Sequence, residues 1–186
     1  MDAYKELQNQ IRDILDRNSF VNQKIDLDTI KQVNKNVKVQ DAFRIRVMQP
    51  LRFSVEIVKP IPLKDFLFIA GRLNIAPDHL KIINNLSLTQ KMDLFDKIRL
   101  ELTKRPSNFK FSEDPSTRQA VGIECMMPIF IDENDKHLAK DLFTGMDEIN
   151  KSFFLVIAIL QQYLRKAGFE PKPGASSDGS ASSMYQ

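Results

Sequence analysis

Apolar and polar positions alternate along this chain with two distinct periods, and the changes between them mark out its elements. Tyr4, Leu7, Ile11, Ile14 and Leu15 recur at three- and four-residue spacing, with Lys5, Glu6, Arg12 and Asp13 on the other face. That spacing predicts an amphipathic N-terminal helix, with Asp2 as its cap. The pattern then fades over residues 18–40, where Ile25, Leu27, Ile30 and Val33 support a short strand or a helical turn. Phe43, Ile45 and Val47 alternate with Arg44, Arg46 and Met48, and Phe53, Val55 and Ile57 alternate with Ser54, Glu56 and Val58. Both runs have the period of two expected of half-buried strands, and Gln49-Pro50-Leu51 between them suits a hairpin connection. Pro60 and Pro62 are expected to end the second strand. The apolar run from Asp65 to Ala70 predicts a third, buried on both faces and closed at Gly71.

Helical spacing returns after Pro77-Asp78, a first-turn proline followed by a residue that complements the helix N-terminus. Leu80, Ile83 and Leu86 form the expected buried stripe. Ser87 and Gln90 make a capping-box pattern, which restarts the helix through Leu94, Phe95, Ile98 and Leu102 until Pro106 stops it. Phe109 and Phe111 alternate with Lys110, a turn follows at Glu113-Asp114-Pro115-Ser116, and residues 119–131 predict a long strand. That strand carries Val121, Ile123, Cys125, Met127, Ile129 and Ile131 on one face, and Pro128 argues for an edge or a bulge in its latter half. Residues 136–166 predict one long helix, about 45 Å at ~1.5 Å per residue. The architecture implied is α+β: an antiparallel sheet of about five strands covered by an N-terminal helix, a central helical pair and a long C-terminal helix. A single domain is expected over residues 1–167. Residues 168–186, with three of the six glycines, two of the nine prolines and five serines, are expected to be a disordered tail.

Composition narrows the classes. A chain of 186 residues can bury a substantial core without staples, and its single cysteine forms no internal disulfide or cysteine-based zinc cluster. With no apolar stretch near the start and a longest apolar run of eight residues (153–160), neither a signal peptide nor a membrane span is expected. The prediction is a soluble, cytoplasmic protein. The net charge of +3 is unevenly placed: residues 31–60 hold Lys31, Lys35, Lys38, Arg44, Arg46, Arg52 and Lys59 against Asp41 and Glu56. A basic excess confined to one strand pair suggests a ligand face.

Catalytic chemistry finds little support. The body has three scattered glycines, Gly71, Gly122 and Gly145, so neither a Rossmann fingerprint nor a P-loop can form. Asp132 and Asn134 have the spacing that opens a calcium loop, but Lys136 takes a ligand position and His137 stands where the turn needs glycine. His79 and His137 each fall in the opening turn of a helix, where imidazole is an ordinary surface group, and Cys125 sits on an apolar strand face. No enzyme activity, cofactor or metal is expected.

Two binding readings remain. Arg44, Arg46 and Arg52 could contact nucleic acid, yet the phenylalanines that would stack bases lie on the opposite strand face, which makes this the less favoured partner. Phe154 and Ile157 belong to a two-turn stretch of the last helix that is apolar all round, and Met126 and Met127 add adaptable apolar surface. These seven residues are the candidate partner-binding set, for a protein partner or a second copy of the chain. The order of elements, with Ile75-Ala76-Pro77-Asp78-His79, the run from Leu94 to Leu102, Phe109 to Pro115 and Ile129-Phe130-Ile131-Asp132, resembles an uncharacterised archaeal family with the type III secretion chaperone-like fold. The resemblance covers about half the chain, residues 73–164. It implies binding of extended protein segments along an exposed sheet, often by dimers, and no catalytic residue. Residues 18–40, longer and more polar than the pattern, and the serine-rich tail depart from it.

Overall fold

A computed structural model describes residues 2–27, 41–132, 136–166 and 168. Its elements are α1 (Asp2–Arg17), β1 (Val21–Lys24), β2 (Asp41–Gln49), β3 (Val55–Pro60), β4 (Phe66–Asn74), α2 (Pro77–Asn85), α3 (Leu88–Leu102), β5 (Asn108–Glu113), β6 (Ala120–Phe130) and α4 (Leu138–Lys166). The class is α+β, with six strands in the order β1-β2-β3-β4-β6-β5. The pairs β1–β2, β2–β3 and β3–β4 are antiparallel. The strand beyond the expected five is β1, whose residues Val-Asn-Gln-Lys carry no apolar alternation. Ile30, Val33, Lys31, Lys35, Lys38, Asn134 and the expected tail beyond Gly168 lie outside the described residues.

Two compact units divide the chain, Met1–Gly71 with Met126–Ile149, and Arg72–Cys125 with Asn150–Gln186. In the first, α1 ends in a Schellman motif: the Phe20 N–H donates to Leu15 O and the Ser19 N–H to Asp16 O, with Ser19 in the left-handed region at φ 60°. This reversal sends the chain into β1, beside which α1 packs. The β2–β3 register places Ile45 opposite Ile57 and Val47 opposite Val55, and all four are buried. Leu67 and Ile69 of β4 and Ile129 of β6 join them in the core. Gly145 lets α4 approach this layer, because a Cβ there would lie 2.6 Å from Ile69 Cδ1.

Two sequence readings change here, and the edge expected at Pro128 is kept. The strand after Asp65 is not closed at Gly71 but continues to Asn74, and it is buried on one face, with Leu67, Ile69 and Leu73 in and Phe66 out. A contiguous apolar run concealed this alternation. The long helix begins at Leu138 rather than 136. Pro128 sits late in β6, which has eleven residues against six in β5; since the turn at Asp114–Gln119 ties β5 to the start of β6, Pro128 falls past the end of β5.

In the second unit the capping box is formed as expected: the Gln90 N–H donates to Ser87 Oγ and the Ser87 N–H to Gln90 Oε1. Leu94, Ile98 and Leu102 of α3 are buried, and Phe95 packs edge-on against Phe111 of β5 at 5.3 Å. The Ile75 N–H bonds Val121 O, joining the chain after β4 to β6. Gly122 fits that juncture because a Cβ would stand 2.6 Å from Leu73 O.

Candidate interaction surface

In the first unit the sheet residues opposite in parity to the core form the second sheet face. On β4 these are Phe66, Phe68 and Ala70, and on β6 they are Met126, Pro128 and Phe130, all exposed or half-buried. Phe66, Met126 and Phe130 are 37%, 41% and 61% exposed. The rings of Phe66 and Phe130 meet edge to face with centroids 5.7 Å apart, and the Ile131 N–H donates to Asp65 O beside them. The loop leading into β4 adds Ile61 and Leu63, 50% and 44% exposed. Single exposed apolar residues need no explanation; here Phe66 and Phe130 touch, and Met126 shares their sheet face.

The basic residues are differently disposed from what the charge count suggested. Glu56 stands directly opposite Arg46 in the β2–β3 register and accepts a 2.9 Å bond from its Nη2. Arg44 Nη1 lies 3.4 Å from the same carboxylate, and its Nε donates to Asp41 at 2.6 Å. Two acids thus neutralise two arginines on this face. Lys59 does not belong to the face at all, being 1% exposed and directed with Val55 and Ile57 into the core. Arg52 is exposed in the β2–β3 connection.

Of the other candidates, Met126 falls within the apolar cluster. Met127 is half-buried and lines a cavity of about 580 Å³ with Ile129, Phe130, Asp132, His137 and Asp141. Phe154 and Ile157 lie in the second unit, where Phe154 is exposed and Ile157 half-buried, while Val156, Ile159 and Leu160 take the buried positions of α4. The expectation that this stretch is apolar in every direction holds for its sequence, and its core face is set by Phe153, Val156 and Leu160.

The second unit holds a charged cluster on Glu124, which is 2.8 Å from Lys110 Nζ, 3.1 Å from Ser112 Oγ and 3.9 Å from Arg72 Nη1. Burial acts to raise this carboxyl, but the Lys110 hydrogen bond and charge, helped by Ser112 and Arg72, outweigh it and hold it below the usual carboxylate range. Contrary to its reading as a surface group, His79 is buried beside Ile83 on the core stripe of α2, and burial pushes its pKa below 6.5 while Asp78 partly opposes this. Cys125 is buried as expected, and its thiol is pushed up to about 12. Among the described residues, no group of three His, Cys, Asp or Glu is placed to hold a metal ion, and no helix is long and apolar enough to cross a membrane.

The fold is thus α+β, one six-stranded sheet with helices, and the sheet face of its first unit carries exposed apolar side chains. A family model described as "Uncharacterized conserved protein (DUF2299)" matches residues 7–160, and the chain belongs to that family. A crystal structure of an uncharacterized protein from Methanothermobacter thermautotrophicus is similar in fold, with a TM-score of 0.67 at 18% identity over 83% of this chain and 96% of that one. No curated protein matches the sequence.

Proposed function

We propose that the protein is a non-enzymatic, cytoplasmic protein-binding module, chaperone-like in the manner of the secretion chaperones, that docks a partner chain or a second copy through the sheet face of its first unit. The observation that carries this is the apolar cluster of Phe66, Met126 and Phe130, extended by Ile61 and Leu63. Burial of such side chains contributes about 25 cal/mol per Å². A sheet face presenting aromatic and methionine side chains suits an extended or helical apolar segment. The archaeal relative of similar fold adds support for the architecture alone.

The nucleic-acid reading is weaker than the sequence made it. Phosphate contacts need cations free to displace counterions, and Arg44 and Arg46 are engaged by Asp41 and Glu56. Native mass spectrometry of the tagged protein purified from its own cells tests the proposal. Wild type should carry a stoichiometric second chain, its own or another, that Phe130→Asp loses while remaining folded. A complex that survives Phe130→Asp and Met126→Asp, yet dissolves with Arg44→Glu and Arg46→Glu in a salt-dependent way, would favour nucleic acid instead.

A further inference from the structure

Lys59 is the most deeply buried charged side chain among the described residues. It leaves β3 on the core face, opposite Phe43, at the next inward position after Val55 and Ile57. Its Nζ donates to three backbone carbonyls, Leu63 O at 2.7 Å, Lys64 O at 2.6 Å and Phe66 O at 2.9 Å. An ammonium has three N–H donors and no acceptor, so one short stretch of chain consumes all of them. The Tyr4 ring, 5.9 Å away, adds a favourable quadrupole.

The same stretch presents Ile61, Leu63 and Phe66 to solvent. Three carbonyl dipoles converging on one point repel one another unless a cation sits between them, so this backbone shape depends on the ammonium. A buried charge is costly unless fully hydrogen-bonded, and a plain apolar residue at position 59 would fill the core without that cost. What the lysine adds is the loop geometry. We infer that Lys59 is a positioning residue for the docking surface: it clamps residues 61–66 so that Phe66 stays across from Phe130 and the loop's apolar side chains face outward. The clamp rests on the proposed function only for its purpose, since the clamping itself can be observed without any partner.

Amide hydrogen exchange of the free protein, read by mass spectrometry, tests it. In Lys59→Met, which keeps an unbranched apolar chain as far as the ε-carbon but removes the ammonium, peptides covering residues 61–66 should exchange at least about tenfold faster, while those from α3 keep the wild-type rate. Unchanged exchange over 61–66, or acceleration spread evenly over the chain, overturns the clamp. Should Lys59→Met fail to fold, acylation of the wild-type protein decides: Lys59 should resist N-hydroxysuccinimide acetate under conditions that modify Lys81. Equal modification of the two overturns the proposal. A confirmed clamp in a protein that docks nothing through this face would refute the docking function and leave the clamp standing.

Discussion

Phe66 and Phe130 face each other edge to face across β4 and β6 with 5.7 Å between their centroids, on a sheet surface open to solvent. An aromatic pair contributes about 0.5–1.5 kcal/mol beyond its burial, but burial is what this pair has only in part.

Phe130→Asp therefore separates binding from folding. Its cost is set by loss of the ring pair, about 1 kcal/mol, which for a chain of this size lowers Tm by about 2–4 °C. Leu67→Asp, on the adjacent core face where exposure is 0%, should abolish the cooperative transition. Thermal unfolding followed by circular dichroism checks both, and equal losses for the two would show that the Phe130 face is core.

Cys125 should behave as an inert thiol. With its pKa raised from 9.0 to about 12 by burial, the folded chain holds almost no thiolate at pH 8, and Ellman's reagent should react only as fast as the protein unfolds. The sign of the linkage follows: above pH 9 the unfolded chain releases a proton that the folded chain keeps, so this group lowers stability as pH rises from 9 towards 12. A rapid burst of one thiol at pH 8 would contradict the burial.

His79 makes the opposite contribution, on the acid side. Its folded pKa lies below 6.5 because of burial, so as pH falls through 6.5 the unfolded chain takes up a proton that the folded chain refuses. Stability attributable to this group is present above pH 6.5 and is lost below it. Urea midpoints measured between pH 7 and 5 should fall less steeply in His79→Gln than in wild type. Parallel slopes would place His79 in water.

Gly122→Ala should destabilise by about 1–3 kcal/mol, the usual range for forced overpacking. The new Cβ would stand 2.6 Å from Leu73 O, a backbone atom that cannot move aside like a side-chain terminus. Chemical denaturation measures this, and a neutral result would mean that the chain after β4 and β6 separate more easily than their bonds imply.

The elements that periodicity predicts well are those in which one face is mostly apolar. α1, β2, α3 and its capping box, β6 and α4 follow their patterns because burial of that face decides them. β1 is not legible, since its four residues, three of them polar, are held by pairing with β2 and by the reversal at Ser19. Lys59 and His79 show a subtler limit. Strand parity from Val55 and Ile57, and helical spacing from Ile83, already put both on core faces, but a residue's chemistry argues for the surface more strongly than its position argues for the core. The three carbonyls around Lys59, with the Tyr4 ring and the Asp65 charge, reveal what offsets its burial. The proposed docking cluster is half visible, through Met126; strand parity also sets Phe130 off the apolar face, while Phe66 is absorbed into a run read as buried on both faces, because a contiguous apolar run does not say which of its faces is covered.

A photo-crosslinking residue, benzoylphenylalanine, placed at position 130 in the protein's own cells tests the docking surface most directly. The account predicts one defined covalent adduct, to a second copy or to a single partner chain, that disappears when Phe66→Asp is added and is absent when the probe sits at Lys81. Crosslinking at position 130 no greater than at Lys81, in a protein whose fold is intact, would contradict it.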